Sequence, residues 1–273
     1  MRQDKFKINH DLRVKLVKMF FKSKAGHLAP ALSCLDILAA LYLGGVISKV
    51  ENPCDRDRVV LSKGHGCAAL YVVLSEAGII PKEELSSFYQ YGTRLQGHPS
   101  LELPGVETGT GSLGHGICFA TGTALAAKLD GKSFHTYVIA GDGETQEGSV
   151  WEAAMFASHH GLNNLTVIID HNKLQCNDCI SAIIETEPLG GKWESFGWHV
   201  ERVDGHDSAA LVELLQSKPG GSSPLAIIAD TTKGKGLSFM ENDPSWHCRA
   251  PKGDEWGVVC QELGITVEEL ERL

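Results

Sequence analysis

Residues 137–143 read Tyr-Val-Ile-Ala-Gly-Asp-Gly, an apolar segment that ends in a glycine–aspartate–glycine turn. A second apolar segment, residues 165–169, is followed closely by Asn172. Short apolar runs of this kind are typical of parallel strands that are buried on both faces. Neighbouring parallel strands would bring Asp142 and Asn172 to the same edge of one sheet, where open α/β sheets bind ligands. One carboxylate with few other oxygen ligands suits Mg²⁺, which keeps phosphate oxygens in its shell, so the pattern predicts a metal–diphosphate site.

A glycine–aspartate–glycine triplet also forms ordinary turns, so the wider pattern of the chain decides its meaning. Short apolar runs occur at residues 58–61, 135–140, 165–169, 199–203 and 225–229. Segments with helical periodicity lie between them, for example residues 114–129 and 150–160. This alternation predicts an α/β fold with a doubly wound, mainly parallel sheet and helices on both faces. Since we find no internal repeat, we expect one domain over residues 1–273.

The composition is that of an ordinary globular protein, with 42% hydrophobic and 22% charged residues. A net charge of −9 argues against nucleic acid as a partner. No apolar stretch is long enough to span a membrane, and no signal peptide is evident, so we expect a cytoplasmic protein. Cys176 and Cys179 form one Cys-x-x-Cys pair, but a zinc site needs further ligands at suitable spacing. We interpret the pair as two thiols in a loop.

Histidines next to glycines are unusually frequent in this chain. Five of its 12 histidines directly follow a glycine, namely His27, His65, His98, His115 and His206. Such pairs can hold an imidazole on a tight loop near a ligand; the alternative is a set of unrelated surface turns. His65 follows a predicted strand and opens a predicted helix, whose N-terminus would bind an anion.

Two further loops are predicted at the same sheet edge. Residues 109–116 read Gly-Thr-Gly-Ser-Leu-Gly-His-Gly and enter a helix, but no Gly-Lys-Ser/Thr follows, so a nucleoside triphosphate is not expected. Their glycines would let the backbone pack against a planar heterocycle. After the last strand, residues 231–236 and 246–249 add cations, including Lys233, and another imidazole, His247.

Taken together, these segments resemble the thiamine-diphosphate-binding half of the transketolases. The resemblance covers residues 25–251 and consists of separated motifs in the family's order. These are residues 25–27, 56–66, 97–99 and 104–114, the module from Gly141 to Asn172, and Trp246-His247. It implies a thiamine-diphosphate-binding fold and thiamine diphosphate as cofactor, with Mg²⁺ or Ca²⁺.

The resemblance also implies roles for individual residues. Asp142, Asn172 and the main-chain carbonyl of Leu174 would hold the metal ion. The residues implied for cofactor binding are His65, Gly111, Ser112, Leu113, Asp142, Gly143, Glu147, Asn172, Lys233 and His247, with Glu147 at the subunit contact. The residues implied for catalysis along the sugar channel are His27, His65, His98 and His247.

The implied activity is transfer of a two-carbon ketol unit from a ketose, phosphorylated in the usual case, to an aldose acceptor. A full transketolase continues with a second domain that carries the glutamate for the aminopyrimidine ring. We therefore expect this chain to be inactive alone and to pair with a separate C-terminal subunit, in an α₂β₂ assembly. Alternative enzymes are 1-deoxyxylulose-5-phosphate synthase and the 2-oxo-acid dehydrogenases, and a non-enzyme alternative is a cofactor-binding scaffold. Pentose-phosphate chemistry is the default, and a specialised ketose is the other possibility.

Overall fold

The computed structural model describes residues 2–47, 53–217 and 221–273. Within these residues, five parallel strands form one sheet. The strands are β1 (Arg58–Leu61), β2 (Thr136–Gly141), β3 (Leu165–His171), β4 (His199–Asp204) and β5 (Leu225–Asp230). Hydrogen bonding places them in the order β1-β2-β3-β5-β4, and every neighbouring pair is parallel. The predicted strands are confirmed, each within two residues at either end.

Helices cover both faces of this sheet, as the strand–helix alternation predicted. The helices are α1 (Arg2–Ser23), α2 (Leu28–Leu43), α3 (Cys67–Glu76), α4 (His115–Leu129), α5 (Gly148–His159), α6 (Ile180–Ile183), α7 (Leu189–Ser195), α8 (Ser208–Ser217), α9 (Glu255–Leu263) and α10 (Val267–Glu271). Among the described helices, none is long and apolar enough to cross a membrane.

The core is divided by the sheet into two apolar clusters. One contains residues of α1, α2, α3, α8 and α9, and the other contains residues of α4, α5 and α7. Successive residues of β2 belong to opposite clusters: Tyr137 and Ile139 to the first, Val138 and Ala140 to the second. This follows from the two-residue period of a strand. It explains why the predicted strands are continuously apolar rather than alternating.

The sheet brings the ends of β2 and β3 side by side. Gly141, the last residue of β2, is in register with Asp170 of β3. Asp142 directly follows β2, and Asn172 directly follows β3. Because all strands are parallel, their carboxyl ends share one edge, and both side chains lie at it.

A buried ion pair joins the helix layer to the loops at this edge. Asp36, inside α2, accepts hydrogen bonds from both terminal nitrogens of Arg13 in α1. It also pairs with Nδ1 of His206 at 2.7 Å, while Nε2 of the same ring accepts from the N–H of Thr232 at 2.8 Å. Since Nε2 is the acceptor, the ring proton is on Nδ1 and His206 donates it to Asp36. Burial alone would raise the pKa of Asp36, but the hydrogen bond from His206 and the charge of Arg13 lower it below 3.8.

Replacing Asp36 by asparagine should lower the free energy of unfolding by about 3–5 kcal/mol, because a nearly buried guanidinium loses its counter-ion. Urea denaturation at pH 7 measures the change. A lowered folded-state pKa means that this stabilisation is complete above about pH 4 and is lost as the pH falls through the folded pKa. The matched control is Glu255→Gln, whose partner Arg249 is at the surface and which should cost less than about 1 kcal/mol. Equal losses for the two variants would contradict the prediction.

Candidate active site

A cavity of about 290 Å³ opens at the carboxyl edge of the sheet. That volume is close to the lower end of small-molecule sites, which run from about 300 to 1,000 Å³. The cavity is lined by His27, Pro30, Lys63, His65, His98, Gly111, Leu113, Gly141, Asp142, Gly143, Glu144, Asn172, Leu174, Gln175, Cys176, Lys233 and His247. Segments more than 200 residues apart in sequence therefore meet at one place.

Most of the residues named from the sequence lie in this lining. The structure brings together His27, His65, His98, Gly111, Leu113, Asp142, Gly143, Asn172, Leu174, Lys233 and His247. Ser112 and Glu147 are exposed and lie outside the lining. Of the remaining glycine–histidine pairs, His115 is exposed and bonds to the carbonyl of Leu113, and His206 pairs with Asp36.

Asp142 and Asn172 are held by backbone N–H groups. Asp142 accepts from the N–H of Gly143 at 2.8 Å on one oxygen and from that of Lys173 at 2.5 Å on the other. The amide oxygen of Asn172 accepts from the N–H of Leu174 at 3.0 Å. Each of these oxygens keeps a second lone pair, so all three can still bind a cation.

Asp142 is a buried carboxylate that, within the described residues, makes no ion pair. Burial, and then the charge of Asp170, raises the pKa of Asp142 to about 6. A divalent cation beside it would favour the charged form and offset both effects. The residues at this position therefore suit a hard metal ion with oxygen ligands.

A second buried carboxylate, Asp170, was missed by the sequence analysis. It accepts hydrogen bonds from Lys63, from Thr231 and, at 2.6 Å, from Ser33. Burial alone would lower the pKa of Lys63, but Asp170 raises it to about 12. Asn172 donates through Nδ2 to Ser33 at 3.2 Å and to Asp170 at 3.4 Å. This network fixes which way the amide of Asn172 points.

Glu144, also missed, connects three loops around the cavity. One carboxylate oxygen accepts from the N–H of Gly114 at 2.8 Å and from the hydroxyl of Ser62, and the other accepts from the N–H of Gly141 at 3.0 Å. Gly114 has φ +79°, and a Cβ there would lie 2.4 Å from the hydroxyl of Ser149. The glycine-rich turn can therefore reach Glu144 only with glycine at this position.

Four imidazoles cluster on one side of the cavity. The ring centroids of His27 lie 5.6 Å from His65, 6.0 Å from His98 and 5.5 Å from His247. Burial, followed by the charges of neighbouring residues, lowers the pKa of His27 to about 4 and that of His247 to about 3. The pKa of His65 falls well below its ordinary value for the same reasons, and burial lowers that of His98. At neutral pH these rings are uncharged and act as hydrogen-bond donors or acceptors.

The polar groups of this cavity suit a ligand with an anionic end. Nδ1 of His27 and Nε2 of Gln175 are buried and have no hydrogen-bond partner within the described residues. Lys233 is buried beside them, and burial, then Lys63, lowers its pKa to about 8, so it is cationic at pH 7. A Cβ on Gly143 would lie 2.9 Å from the side chain of Gln175, so glycine leaves room at this wall.

Cys176 and Cys179 lie in the loop that follows β3. Within residues 2–47, 53–217 and 221–273, no group of three or more His, Cys, Asp or Glu side chains could hold a metal ion. Both cysteines carry free thiols. Cys176 lines the cavity, and Cys179 faces Leu174 in an antiparallel bridge. Both residues lie in the loop between β3 and α6, and their role as simple loop thiols stays a prediction.

Comparison with known proteins gives a consistent result. Residues 4–271 match the family model described as "Transketolase, thiamine diphosphate binding domain". One subunit of the apulose-4-phosphate transketolase of Phocaeicola vulgatus is 39% identical over 263 residues, covering 95% of this chain and 94% of the relative. The SqwG subunit of the 6-deoxy-6-sulfo-D-fructose transketolase of a Clostridium species is 40% identical over 246 residues, covering 89% of this chain and 90% of the relative.

The solved structures that match are longer than this chain. The crystal structure of transketolase from Campylobacter jejuni superimposes with a TM-score of 0.86 and 29% identity, over 94% of this chain but only 42% of the other. The chain therefore spans less than half of that transketolase and nearly all of the two relatives that are named as subunits.

The hydrogen bonds through which Glu144 connects the loops around the cavity can be tested by Glu144→Ala. The buried N–H group of Gly114 and the partly buried N–H group of Gly141 would lose their acceptor. The loss at Gly114 alone should lower the free energy of unfolding by about 1–3 kcal/mol. Urea denaturation of the isolated chain measures the loss. The matched control is Glu147→Ala, three residues away and exposed, which should leave stability within about 0.5 kcal/mol of wild type. A Glu144→Ala variant as stable as Glu147→Ala would contradict the assigned role.

Proposed function

We propose that this chain is the cofactor-binding subunit of a two-chain transketolase. The chain belongs to the transketolase family through its thiamine-diphosphate-binding domain. It matches relatives named as transketolase subunits along almost their full length. Its reaction is transfer of a two-carbon ketol unit from a ketose donor to an aldose acceptor. The observation that carries the proposal is the meeting of Asp142, Asn172 and four neutral imidazoles around one cavity.

In this proposal the chain holds thiamine diphosphate together with Mg²⁺ or Ca²⁺. Asp142, Asn172 and the carbonyl of Leu174 are the metal ligands, and Lys233 and His247 face the diphosphate. When bound, thiamine diphosphate supplies the nucleophilic carbon that makes and breaks the carbon–carbon bond. His27 and His98 face the sugar and donate to or accept from its hydroxyl groups without adding charge.

The substrate that we propose is a specialised ketose with a terminal anionic group. Two relatives at 39–40% identity are named for apulose 4-phosphate and for 6-deoxy-6-sulfo-D-fructose; one name contains a phosphate and the other a sulfonate. In this proposal Lys233 faces the diphosphate of the cofactor and is not available to the sugar. The second chain therefore supplies most contacts to the sugar's anionic end.

The partner is a second polypeptide, and the outer faces of α4 and α5 are the surface that we assign to it. The two helices run side by side, since Lys128 of α4 donates to the carbonyl of His160 at 2.7 Å. Together they contain one lysine and one glutamate, whereas surface helices usually place charges on the outer face. The outer faces of α4 and α5 carry large hydrophobic residues in place of charges. Their solvent-exposed fractions are 43% for Phe119, 76% for Leu129, 51% for Met155 and 42% for Phe156.

This apolar surface begins at the cavity. Gly114, which precedes α4, directly follows Leu113 of the cavity lining. The backbone carbonyl of Ile184, a residue that is 61% exposed, accepts from Nε2 of Gln146, two residues before α5. A chain that covers the surface would also close the cavity from outside. Exposed apolar side chains on neighbouring helices are typical of protein interfaces. We propose an α₂β₂ assembly and a single folded domain for residues 1–273.

Titration calorimetry with thiamine diphosphate, with and without Mg²⁺, tests the site. Binding should require the metal, and Asp142→Ala should weaken metal-dependent binding at least about 100-fold, because even residues that only support a ligand cost 10–100-fold. The control is Asp130→Ala, an exposed carboxylate at the far end of α4, which should bind as wild type does. Unchanged affinity in Asp142→Ala would exclude the assigned metal ligands.

The partner proposal predicts no ketol transfer by the purified chain and activity after co-expression with the second chain. Met155→Lys should weaken the complex at least about tenfold, because it places a charge in an apolar contact; gel filtration and the transfer assay measure this. Val267→Lys on α10, a hydrophobic residue of similar exposure (46%), should have no effect. Activity of the isolated chain, or an unaffected Met155→Lys complex, would refute this assignment.

A further inference from the structure

Lys233 and His247 are in direct contact in the lining of the cavity. Lys233 lies three residues beyond β5 and is 1% exposed. Its ammonium group donates to the carbonyl of Gln175 at 2.7 Å and lies 2.7 Å from Nδ1 of His247. His247 follows the short 3₁₀ turn Pro244–Trp246, and its own N–H donates to the carbonyl of Pro244. Two separate loops at the sheet edge are thus joined through this pair.

The chemistry of the pair determines where the imidazole proton sits. An ammonium group has three donors and no acceptor, so Nδ1 of His247 must be the acceptor. A neutral imidazole that accepts at Nδ1 carries its proton on Nε2. Within the described residues, no other side chain or backbone group bonds to the His247 ring. Its Nε2–H therefore has no competing acceptor from the protein.

We propose that Lys233 is a positioning residue that holds His247 as the neutral Nε2–H tautomer, so that His247 presents a hydrogen-bond donor, and not a base, to an oxygen of the bound ligand. The oxygen belongs to a diphosphate or to a sugar hydroxyl, and this identification rests on the proposed function. The tautomer itself follows from the protein alone.

The charges around the ring support one protonation state. Facing His247 are Lys233 from the loop after β5, Lys63 from the loop after β1, His65 at 5.2 Å between ring centroids, and His27 at 5.5 Å. Burial, then Lys233, His27 and Lys63, lowers the pKa of His247 to about 3. An imidazolium ring would lose the bond to Lys233, because both groups would then be donors.

The same arrangement gives His247 a hydrogen-bonding role that differs from that of its neighbour His27. Nδ1 of His27 is buried without a partner in the described part of the chain, so no protein group dictates which nitrogen of that ring carries the proton. His27 can therefore either donate a hydrogen bond to a ligand hydroxyl or accept one from it, whereas His247 can only donate unless it breaks its contact with Lys233. The adaptable hydrogen-bonding role in this cavity is thereby assigned to His27, and fixed donation to His247.

The test is a long-range ¹H–¹⁵N correlation spectrum of the uniformly labelled, cofactor-free chain between pH 6 and pH 7, where Lys233 is cationic. His247, identified by the signals lost in His247→Gln, should show the neutral Nε2–H pattern throughout. Lys233→Met should give a mixture of the two neutral tautomers of His247, because the hydrogen bond that keeps Nδ1 as the acceptor is lost. Lys233→Arg, which keeps a cationic donor, should restore the wild-type pattern.

Three results would overturn the proposal: a wild-type Nδ1–H tautomer, an imidazolium at pH 7, or a Lys233→Met spectrum equal to wild type. If melting shows that Lys233→Met is unfolded, the wild-type tautomer and the Lys233→Arg spectrum decide. The spectra need no thiamine diphosphate and no partner chain. A failure here is therefore distinguishable from a failure of the cofactor titration, which reports on the proposed function.

Discussion

Asp170 lies wholly buried under the cavity, and the geometry of the site depends on the hydrogen bonds that it accepts. Its donors come from the loops after β1 and β5 and from α2, in Lys63, Thr231 and Ser33. An uncompensated buried carboxylate would cost several kcal/mol, so these segments are held together at one point. Because Asn172 also donates to Asp170 and Ser33, its amide oxygen is left on the side of Leu174. The proposed metal site is thus positioned by a buried carboxylate that is not itself one of the proposed metal ligands.

The electrostatics of the cavity suit a ligand that brings both an anion and a cation. Lys63 is paired with Asp170, while Lys233 adds a positive charge that Asp142 and Asp170 offset only in part. Asp142 makes no ion pair in the described residues, and its raised pKa reflects that. The four imidazoles are neutral, so they shape and hydrogen-bond the ligand without changing this balance. A metal–diphosphate complex would balance both charges, with the metal beside Asp142 and the phosphate oxygens beside Lys233.

The sheet and the strand-tip residues could be predicted because their causes are local. Apolar runs define buried parallel strands, and Asp142 and Asn172 each follow such a run closely, so adjacency of β2 and β3 was enough to bring them together. The family resemblance built on these residues is confirmed.

Asp170 and Glu144 escaped notice because their partners lie far away in sequence: Lys63 is 107 residues from Asp170, and Ser62 is 82 from Glu144. His206 shows the opposite problem. Its glycine–histidine pattern fits a ligand loop, but the pattern does not show that Asp36 will be its partner.

The central claim is that Asp142 and Asn172 together hold a divalent cation against a diphosphate. The most direct measurement is a crystal structure of the chain grown with thiamine diphosphate and Mn²⁺, in which anomalous scattering locates the metal. The account predicts one Mn²⁺ peak in contact with the carboxylate of Asp142, the amide oxygen of Asn172 and oxygens of the diphosphate. A peak elsewhere, or a bound diphosphate with these two side chains turned away from it, would contradict the account.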